Sequence, residues 1–273
     1  MQVQTLYAAF PFVDDGVWAD VHLQMDRSLG WRRWWRPQVL LRCDGSFPFE
    51  PFPADGPFPF FEWSCNWMIG RRLNDLLLLH AGVVERDGLA LVMPALPGSG
   101  KSTLTAALSL RGWRLLSDEF GAFDPELGSF RAMLKPVGLK NQSIDVIRRF
   151  APEAAIGPSF PKTHKGVVAH LAPDLLAVDQ RHVPARPGAV VLPKWQAGAV
   201  THLEPWPAHL AFSALAFNAF NYTLLGQVGF DAVVSLTQQC PTWNLVYSDL
   251  NDALAALDAL WPSIRAHHDL APA

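Results

Sequence analysis

The sequence has 273 residues, of which 50% are hydrophobic and 17% are charged, so a sizeable core is available and wholesale disorder is excluded. Its 22 Lys and Arg against 25 Asp and Glu give a net charge of −3 at pH 7. The chain lacks the basic excess that duplex nucleic acid usually demands, so we expect no nucleic-acid partner.

Signals for a membrane span, secretion or a disulfide framework are weak in this sequence. The longest apolar stretch, residues 76–84, is interrupted by His80 and is much shorter than the roughly 20 residues of a membrane helix. The N-terminus has no basic start, so we expect a cytoplasmic protein without a membrane partner. Cys43, Cys65 and Cys240 are odd in number and widely spaced, which indicates reduced thiols and no structural zinc site.

Residues 1–75 are predicted to form a small aromatic N-terminal module, and residues 76–273 the main domain. Six of the 11 Trp lie in the module. Its segment 47–63 is rich in Pro and Phe, which favours an extended loop packed on a hydrophobic surface over a disordered linker. Arg32, Arg33 and Arg36 lie among tryptophans, which indicates a solvated edge with Arg–Trp stacking, or else an anion site.

The main domain begins with a pattern typical of an α/β nucleotide-binding fold. Asp87 and Gly88 favour a tight hairpin turn between two apolar strands, and Gly112 ends the first helix. The order of strand, glycine loop, helix, strand and acid pair is that of a phosphate-binding βαβ unit. The predicted elements are strands at 77–84 and 89–93, a loop at 94–100, a helix at 102–111 and a strand at 113–116.

Further elements of both kinds follow. We predict helices at 141–150, 208–225, 231–238 and 251–260, and strands at 188–192 and 243–247. Asp249 or Ser248 is placed to cap the last helix, because a side-chain oxygen there accepts from its free N–H groups.

The strongest motif is the loop PALPGSGKST at residues 94–103. It matches the P-loop template GxxxxGK[ST] at Gly100, Lys101 and Ser102, with Ala95 where the first glycine is usual. The pattern predicts that N–H groups of Gly98, Ser99, Gly100, Lys101, Ser102 and Thr103 surround a β-phosphate at the start of a helix. Lys101 would bridge the β- and γ-phosphates and the Ser102 hydroxyl would hold Mg²⁺, so ATP and Mg²⁺ are the expected cofactors. An ordinary turn into a helix is the alternative.

Two further features accompany the loop. Asp118 and Glu119 end the strand that follows the loop helix, where a carboxylate can hold Mg²⁺ or accept a proton from an attacking hydroxyl. Side chains alternate along a strand, so one of the two acids is alternatively a cap or a surface charge. His80 lies in the strand predicted to adjoin the loop strand, where it is either catalytic or a hydrogen-bonded core residue.

These residues together resemble the HPr kinase/phosphorylase catalytic domain, and most closely the subgroup of HPr kinase-related kinases A. The resemblance rests on LHAGVV at 79–84, GSGKST at 98–103 and LSDE at 116–119, with flanking similarity at 61–67, 139–144 and 246–250. It implies a P-loop kinase core of the HPr kinase/PEP carboxykinase-like type. It also implies transfer of the ATP γ-phosphate to a serine hydroxyl of a protein or peptide.

The same resemblance implies residue roles. Asp118 would take the serine proton, Glu119 and Ser102 would act at the metal with Asp118 as a further ligand, and His80 would join the acid/base network. HPr kinases have Asp-Asp where this chain has Asp118-Glu119, and the longer Glu alters the reach to the metal. The segment 135–145 lacks the Arg-Gly-rich character that accompanies phosphorolysis in the bifunctional enzymes. Because HPr kinases are hexamers, the resemblance also allows a homo-oligomer.

The remaining candidates are basic or polar. Lys140 and Asn141 are predicted substrate or phosphate contacts, or else a surface lysine and a helix cap. Arg186 precedes a strand and would supply a transition-state guanidinium, or else is structural. The stretch 162–165 (KTHK) would be a substrate-facing loop or a solvated one.

Two other functions compete with the protein kinase. One is a nucleotide-gated binding protein with little catalysis, and the other is a kinase for a small metabolite with a hydroxyl. An apolar groove beside the loop would favour a peptide acceptor, whereas a closed pocket would favour a metabolite.

Overall fold

The computed structural model describes residues 2–14 and 16–270 and has a mixed α/β architecture, which confirms the predicted fold class at that level. The strands are β1 (Leu23–Arg27), β2 (Gln38–Cys43), β3 (Phe52–Pro53), β4 (Leu77–Arg86), β5 (Leu89–Pro94), β6 (Arg114–Ser117), β7 (Phe120–Asp124), β8 (Ser129–Arg131), β9 (Val137–Lys140), β10 (Phe160–Thr163), β11 (Gly166–Leu171), β12 (Arg186–Trp195), β13 (His202–Pro205) and β14 (Thr242–Tyr247). The helices are α1 (Gln2–Leu6), α2 (Pro57–Arg72), α3 (Lys101–Ser109), α4 (Gln142–Phe150), α5 (Leu175–Asp179), α6 (Ala208–Phe217), α7 (Tyr222–Leu225), α8 (Gln227–Gln239) and α9 (Leu250–Leu270).

The main sheet has eight strands in the order β13-β14-β12-β5-β4-β7-β8, and β6 pairs with β4 next to β7. Strand β12 is parallel to both β5 and β14, whereas β4 is antiparallel to β5, β6 and β7. Strands β5 and β6 therefore run in the same direction with β4 between them. The predicted strand–loop–helix–strand unit is present as β5–α3–β6, but its two strands are not neighbours.

Both faces of this sheet are covered by helices. Alternate side chains of β5 enter different clusters, with Leu91 and Met93 on one face and Ala90 and Val92 on the other. The first cluster includes apolar residues of α3, α4 and α9, and the second includes those of α6 and α8. Because β4 and β5 are buried on both sides, they have the continuous apolar sequence that made them predictable.

Several local predictions are confirmed. Asp87 and Gly88 form the turn between β4 and β5 with φ of 56° and 78°, and Gly112 follows α3 with φ of 89°. Asp249 caps α9 by accepting from the Asn251 N–H at 2.8 Å. Helix α9 continues beyond the predicted residue 260 as far as Leu270, with Pro262 inside it.

The prediction of one long helix at 208–225 is wrong, because α6 ends before Asn218 and the chain then docks on β4. The His80 N–H donates to the Asn218 carbonyl at 2.5 Å, and Ala219 forms a bridge with Leu79. The buried Asn221 amide continues the pairing: its Oδ1 accepts from the Leu78 N–H at 3.0 Å and its Nδ2 donates to the Leu76 carbonyl at 2.8 Å.

We expect Asn221→Leu to lower the free energy of unfolding by about 3 kcal/mol, because the Leu78 N–H of β4 and the Leu76 carbonyl just before it lose their partners at about 1–3 kcal/mol each. Asn218→Leu is the matched control, since the Asn218 amide donates only to Ala214 in its own helix. Urea denaturation of both variants measures the difference. Equal losses would show that the Asn221 amide does not hold β4.

The N-terminal module has its own three-stranded sheet, β1-β2-β3, and its own apolar cluster with α2. The extended loop predicted at 47–63 is wrong from residue 57 onward, where α2 begins with Pro57 in its first turn, a position that tolerates proline. Arg32 and Arg33 lie over the Trp31 and Trp34 rings at 4.2 and 5.7 Å on an exposed edge, as the stacking interpretation predicts. Within the described ranges, no helix is both long and apolar enough to cross a bilayer.

Candidate functional site

The loop after β5 has the backbone shape that an anion-binding turn needs. Gly98 and Gly100 have φ of 90° and 89°, in the region that favours glycine. Ala95, which replaces the first glycine of the template, is buried and has no positive φ, so its methyl group costs no backbone strain. Helix α3 begins immediately afterwards at Lys101.

The amides of this loop are largely free to bind a ligand. In the described residues, the N–H groups of Gly98 and of residues 100–103 have no hydrogen-bond acceptor, whereas the Ser99 N–H donates to the Leu96 carbonyl at 3.2 Å. The Ser99 Oγ is buried and also lacks a partner there. Five unpaired donors at a helix start form a site for an anion such as a phosphate.

Lys101 is held in place beneath the loop. Its side chain is buried, and Nζ donates to the Asp118 carbonyl oxygen at 2.5 Å. Burial lowers the pKa of Lys101, while the nearby Asp118 and Glu119 carboxylates oppose that shift. Gly82 of β4 leaves space for the Lys101 stem and for Thr105, because a Cβ there would overlap Thr105 Oγ1.

The two acids lie at a bend between β6 and β7, rather than within a strand, so they are not restricted to opposite faces. Asp118 is buried, and its Oδ2 accepts from the Gly138 N–H at 3.1 Å. Glu119 is partly exposed, and its Oε1 lies 3.7 Å from His80 Nδ1. Each acid therefore has a distinct environment.

These environments move the two pKa values apart. Burial raises the pKa of Asp118 and the charge of Glu119 adds to the rise, so Asp118 is the stronger base. Burial also opposes ionisation of Glu119, but Lys101 and Lys140 lower its pKa overall. Divergent pKa values in one site are typical of a proton acceptor paired with a permanently ionised group.

His80 is neutral at physiological pH. Burial lowers its pKa to about 4, with Lys101 contributing and Glu119 opposing. Its ring packs edge-on against Phe220 at 5.4 Å. The contact with Glu119 is therefore one between a neutral imidazole and a carboxylate, and its 3.7 Å is longer than a hydrogen bond.

A main cleft of about 1110 Å³ opens beside the loop. Its walls bring together predicted residues from four parts of the chain: His80, Gly98, Ser99, Gly100, Lys101, Ser102, Thr103, Glu119, Lys140 and Asn141. Asp118 does not line it. Asp118 instead lines a smaller side chamber of about 80 Å³, which shares Glu119, Gly138, Lys140 and Lys165 with the cleft.

Arg186 is the predicted site residue that the structure separates from the others. It begins β12 opposite Leu89, at the start of β5, whereas the loop follows the end of β5. Six strand residues at about 3.3 Å each put Arg186 roughly 20 Å from the loop. Within one chain the structure therefore does not bring Arg186 to the predicted site, which favours the structural alternative.

Asn141 positions the neighbouring hairpin instead of capping α4. Its Oδ1 accepts from the Val167 N–H at 3.0 Å, and Nδ2 donates to the Lys165 carbonyl at 3.5 Å. At the start of α4 it is Ser143 that makes a local hydrogen bond, because its Oγ accepts from the Lys140 N–H at 2.7 Å. Asn141 thereby fixes the β10–β11 turn whose Lys165 faces both cavities. The side chain of Lys162, from the same predicted loop, lies outside the described part of the chain.

Sequence reasoning missed two aromatic residues of the cleft. Trp195 and Tyr247 lie at the ends of β12 and β14, and the Tyr247 hydroxyl donates to the Gly100 carbonyl at 3.2 Å. Strand β12 is parallel to β5, and β14 is parallel to β12, which brings the carboxyl ends of both strands to the loop; no local sequence motif marks this pairing.

We expect Gly100→Ala to destabilise the fold more than Gly98→Ala does. Both substitutions meet the left-handed strain, about 1–2 kcal/mol. Only at Gly100 would the new Cβ lie 2.5 Å from the Tyr247 hydroxyl and 2.9 Å from Trp195 Cβ, whereas at Gly98 nothing lies within 4 Å. Overpacking adds about 1–3 kcal/mol. Guanidinium denaturation compares the two variants, and equal losses would contradict the contact.

The site contains oxygen ligands suited to Mg²⁺ but no dense cluster for a transition metal. No group of three or more His, Cys, Asp or Glu that could hold a metal occurs in residues 2–14 and 16–270. Mg²⁺ commonly takes one or two carboxylates together with substrate phosphates and water. Ser102 and Glu119 line one cleft and fit that pattern, whereas Asp118 faces the side chamber.

No protein-family model matches the chain, and no curated protein matches it significantly.

Proposed function

We propose that the protein is an ATP- and Mg²⁺-dependent kinase that transfers the γ-phosphate to a serine-type hydroxyl, on a P-loop core of the HPr kinase/PEP carboxykinase-like type. The observation that carries the proposal is the pair of adjoining cavities: the loop with its five free amides, buried Lys101 and Glu119 line the main cleft, and Asp118, a carboxylate with a raised pKa, lines the side chamber that shares Glu119 with it. Phosphoryl transfer needs this combination of positioned cations, anion-binding amides and a base.

In this proposal the triphosphate binds the loop. The amides of residues 98 and 100–103 donate to phosphate oxygens, and Lys101 offsets the negative charge on the transferring group. Ser102 and Glu119 would hold Mg²⁺, which when bound neutralises part of the phosphate charge. His80, neutral and next to Glu119, keeps that carboxylate oriented.

Asp118 serves as the base because its environment favours protonation. The acceptor O–H bond breaks and its proton passes to Asp118, while the acceptor oxygen bonds to the γ-phosphorus. The bond from that phosphorus to the β–γ bridging oxygen breaks, and its electron pair leaves with ADP. The Gly138 N–H fixes Asp118 Oδ2 during this exchange.

Calorimetry with Mg·ATP tests the nucleotide site, and transfer of ³²P from labelled ATP tests the chemistry. We expect micromolar binding of Mg·ATP and incorporation of the label into acid-stable phosphoserine. Absence of binding would refute the proposal. Binding without hydrolysis or transfer would instead favour a nucleotide-gated binding protein.

A further inference from the structure

The side chamber lies across the acid pair from the main cleft and is built partly by the N-terminal module. Helix α2 contributes Glu62 and Asn66, and the main domain contributes Asp118, Lys135 and His170. Its volume of about 80 Å³ is several times the roughly 10–15 Å³ that one water requires. It therefore has room for a group of several non-hydrogen atoms beside the Asp118 carboxylate.

Two residues that line this chamber each have a buried polar atom with no hydrogen-bond partner among the described residues. The atoms are Asn66 Oδ1 and His170 Nδ1. His170 is only 5% exposed, and its ring is fixed edge-on against Phe58 at 5.0 Å. Buried polar atoms are normally paired, because leaving one unsatisfied costs about 1–3 kcal/mol. Two such atoms on one cavity indicate that a polar ligand completes the site.

Two charged groups of the chamber, Glu62 and Lys135, are paired with each other. Glu62 Oε1 accepts from the Tyr7 hydroxyl at 2.6 Å, and Lys135 Nζ lies 3.3 Å from Glu62 Oε2. This buried chain joins α1, α2 and the segment before β9. It fixes α2, and with it Asn66, over the acid pair.

We propose that the side chamber is the acceptor site and that it takes a primary alcohol with a hydrogen-bond-donating nitrogen nearby, as in serine. This inference rests on the proposed kinase function. The alcohol faces Asp118, which takes its proton, and the nitrogen donates to Asn66 Oδ1, an atom that can only accept. His170 Nδ1 pairs with a further polar atom of the same acceptor. The chemistry is shared by free serine and by a serine residue within a peptide.

The chamber also gives the N-terminal module a role. Without α2 the chamber would lose the wall that carries Asn66, while the loop, Lys101 and the acids would stay in the main domain. The module is thus an acceptor-recognition element, and Asn66 is a positioning residue, since the chemistry belongs to Asp118.

The test measures transfer from Mg·ATP to three probes: L-serine, N-acetyl-L-serine N-methylamide, and 3-hydroxypropanoate, which is serine without its amino group. We expect the wild-type protein to phosphorylate at least one serine probe ten times faster than 3-hydroxypropanoate. The free and capped serine probes distinguish a metabolite from a peptide acceptor. Asn66→Leu should raise KM for the serine probe at least tenfold with a smaller change in kcat, and should abolish the preference.

Asn74→Leu is the matched control, because Asn74 follows the same helix on an exposed surface and its amide donates only to Arg71. It should leave KM, kcat and the preference for the serine probe unchanged, and neither variant should alter Mg·ATP affinity. If the Leu variant does not fold, Asn66→Ala replaces it. The melting temperature of every variant shows whether it is folded. Unchanged kinetics in a folded Asn66 variant would overturn the acceptor site, as would nucleotide binding without transfer to either serine probe. Failure to bind Mg·ATP would instead overturn the proposed function itself.

Discussion

Lys101→Met is expected to lower phosphoryl transfer by about 10³-fold and to weaken Mg·ATP binding. Lys101 is the buried cation at the start of α3, where five free amides already converge. Removing one preorganised donor from such a site typically costs 10²–10³-fold in rate, and here a full charge is lost as well. Methionine retains most of the stem volume that Gly82 accommodates.

Steady-state kinetics and calorimetry with Mg·ATP measure both effects. Arg186→Met is the control, since it also removes one cation but lies at the opposite end of β5 and β12. It should retain wild-type transfer. A large loss in Arg186→Met, or near-normal transfer in Lys101→Met, would contradict the site described for this cleft.

The glycine-rich loop at residues 94–103 and the helix after it could be predicted from sequence because their determinants are local. Gly98, Gly100 and Lys101 lie within four consecutive residues, and the required backbone angles follow from glycine itself. The buried strands on either side were equally accessible, since a strand covered on both faces has an uninterrupted apolar sequence. Neither inference depended on contacts between distant residues.

The sequence predictions that the structure did not bear out depend on pairing between distant residues. The apolar pattern of 208–225 is compatible with one helix, and only the docking of Asn221 on β4, more than 140 residues earlier, divides it. The distance of Arg186 from the loop likewise follows from the direction of β12 relative to β5, which cannot be derived from a short motif.

The side chamber shows the same limit at the level of the site. Asn66, Lys135 and His170 are far apart in sequence, and each alone has an ordinary structural explanation. Their significance comes from one shared cavity next to Asp118 and from the two polar atoms left unpaired there. Sequence could indicate the glycine-rich loop, because that feature is a compact motif, but not the side chamber.

Asp118→Asn is expected to reduce transfer by about 10²–10⁴-fold, the usual contribution of a general base, while Mg·ATP affinity stays within a few fold. The Asn oxygen can still accept from the Gly138 N–H, so the local structure is preserved. Stability at neutral pH should not fall. A carboxyl whose pKa is raised on folding opposes folding when ionised, and the amide removes that cost.

The pH dependence gives this prediction a second readout. Asp118 must be ionised to take a proton, and burial raises its pKa above the ordinary 3.8, so wild-type transfer should fall as the pH decreases through that raised pKa. The residual transfer of Asp118→Asn should lack this acidic limb. Glu119→Gln is the matched control: it should keep the limb and instead require more Mg²⁺, because its lowered pKa keeps Glu119 ionised as a ligand. An acidic limb that persists in Asp118→Asn but disappears in Glu119→Gln would exchange the roles of the two acids, and with them the side of the acid pair on which the acceptor binds.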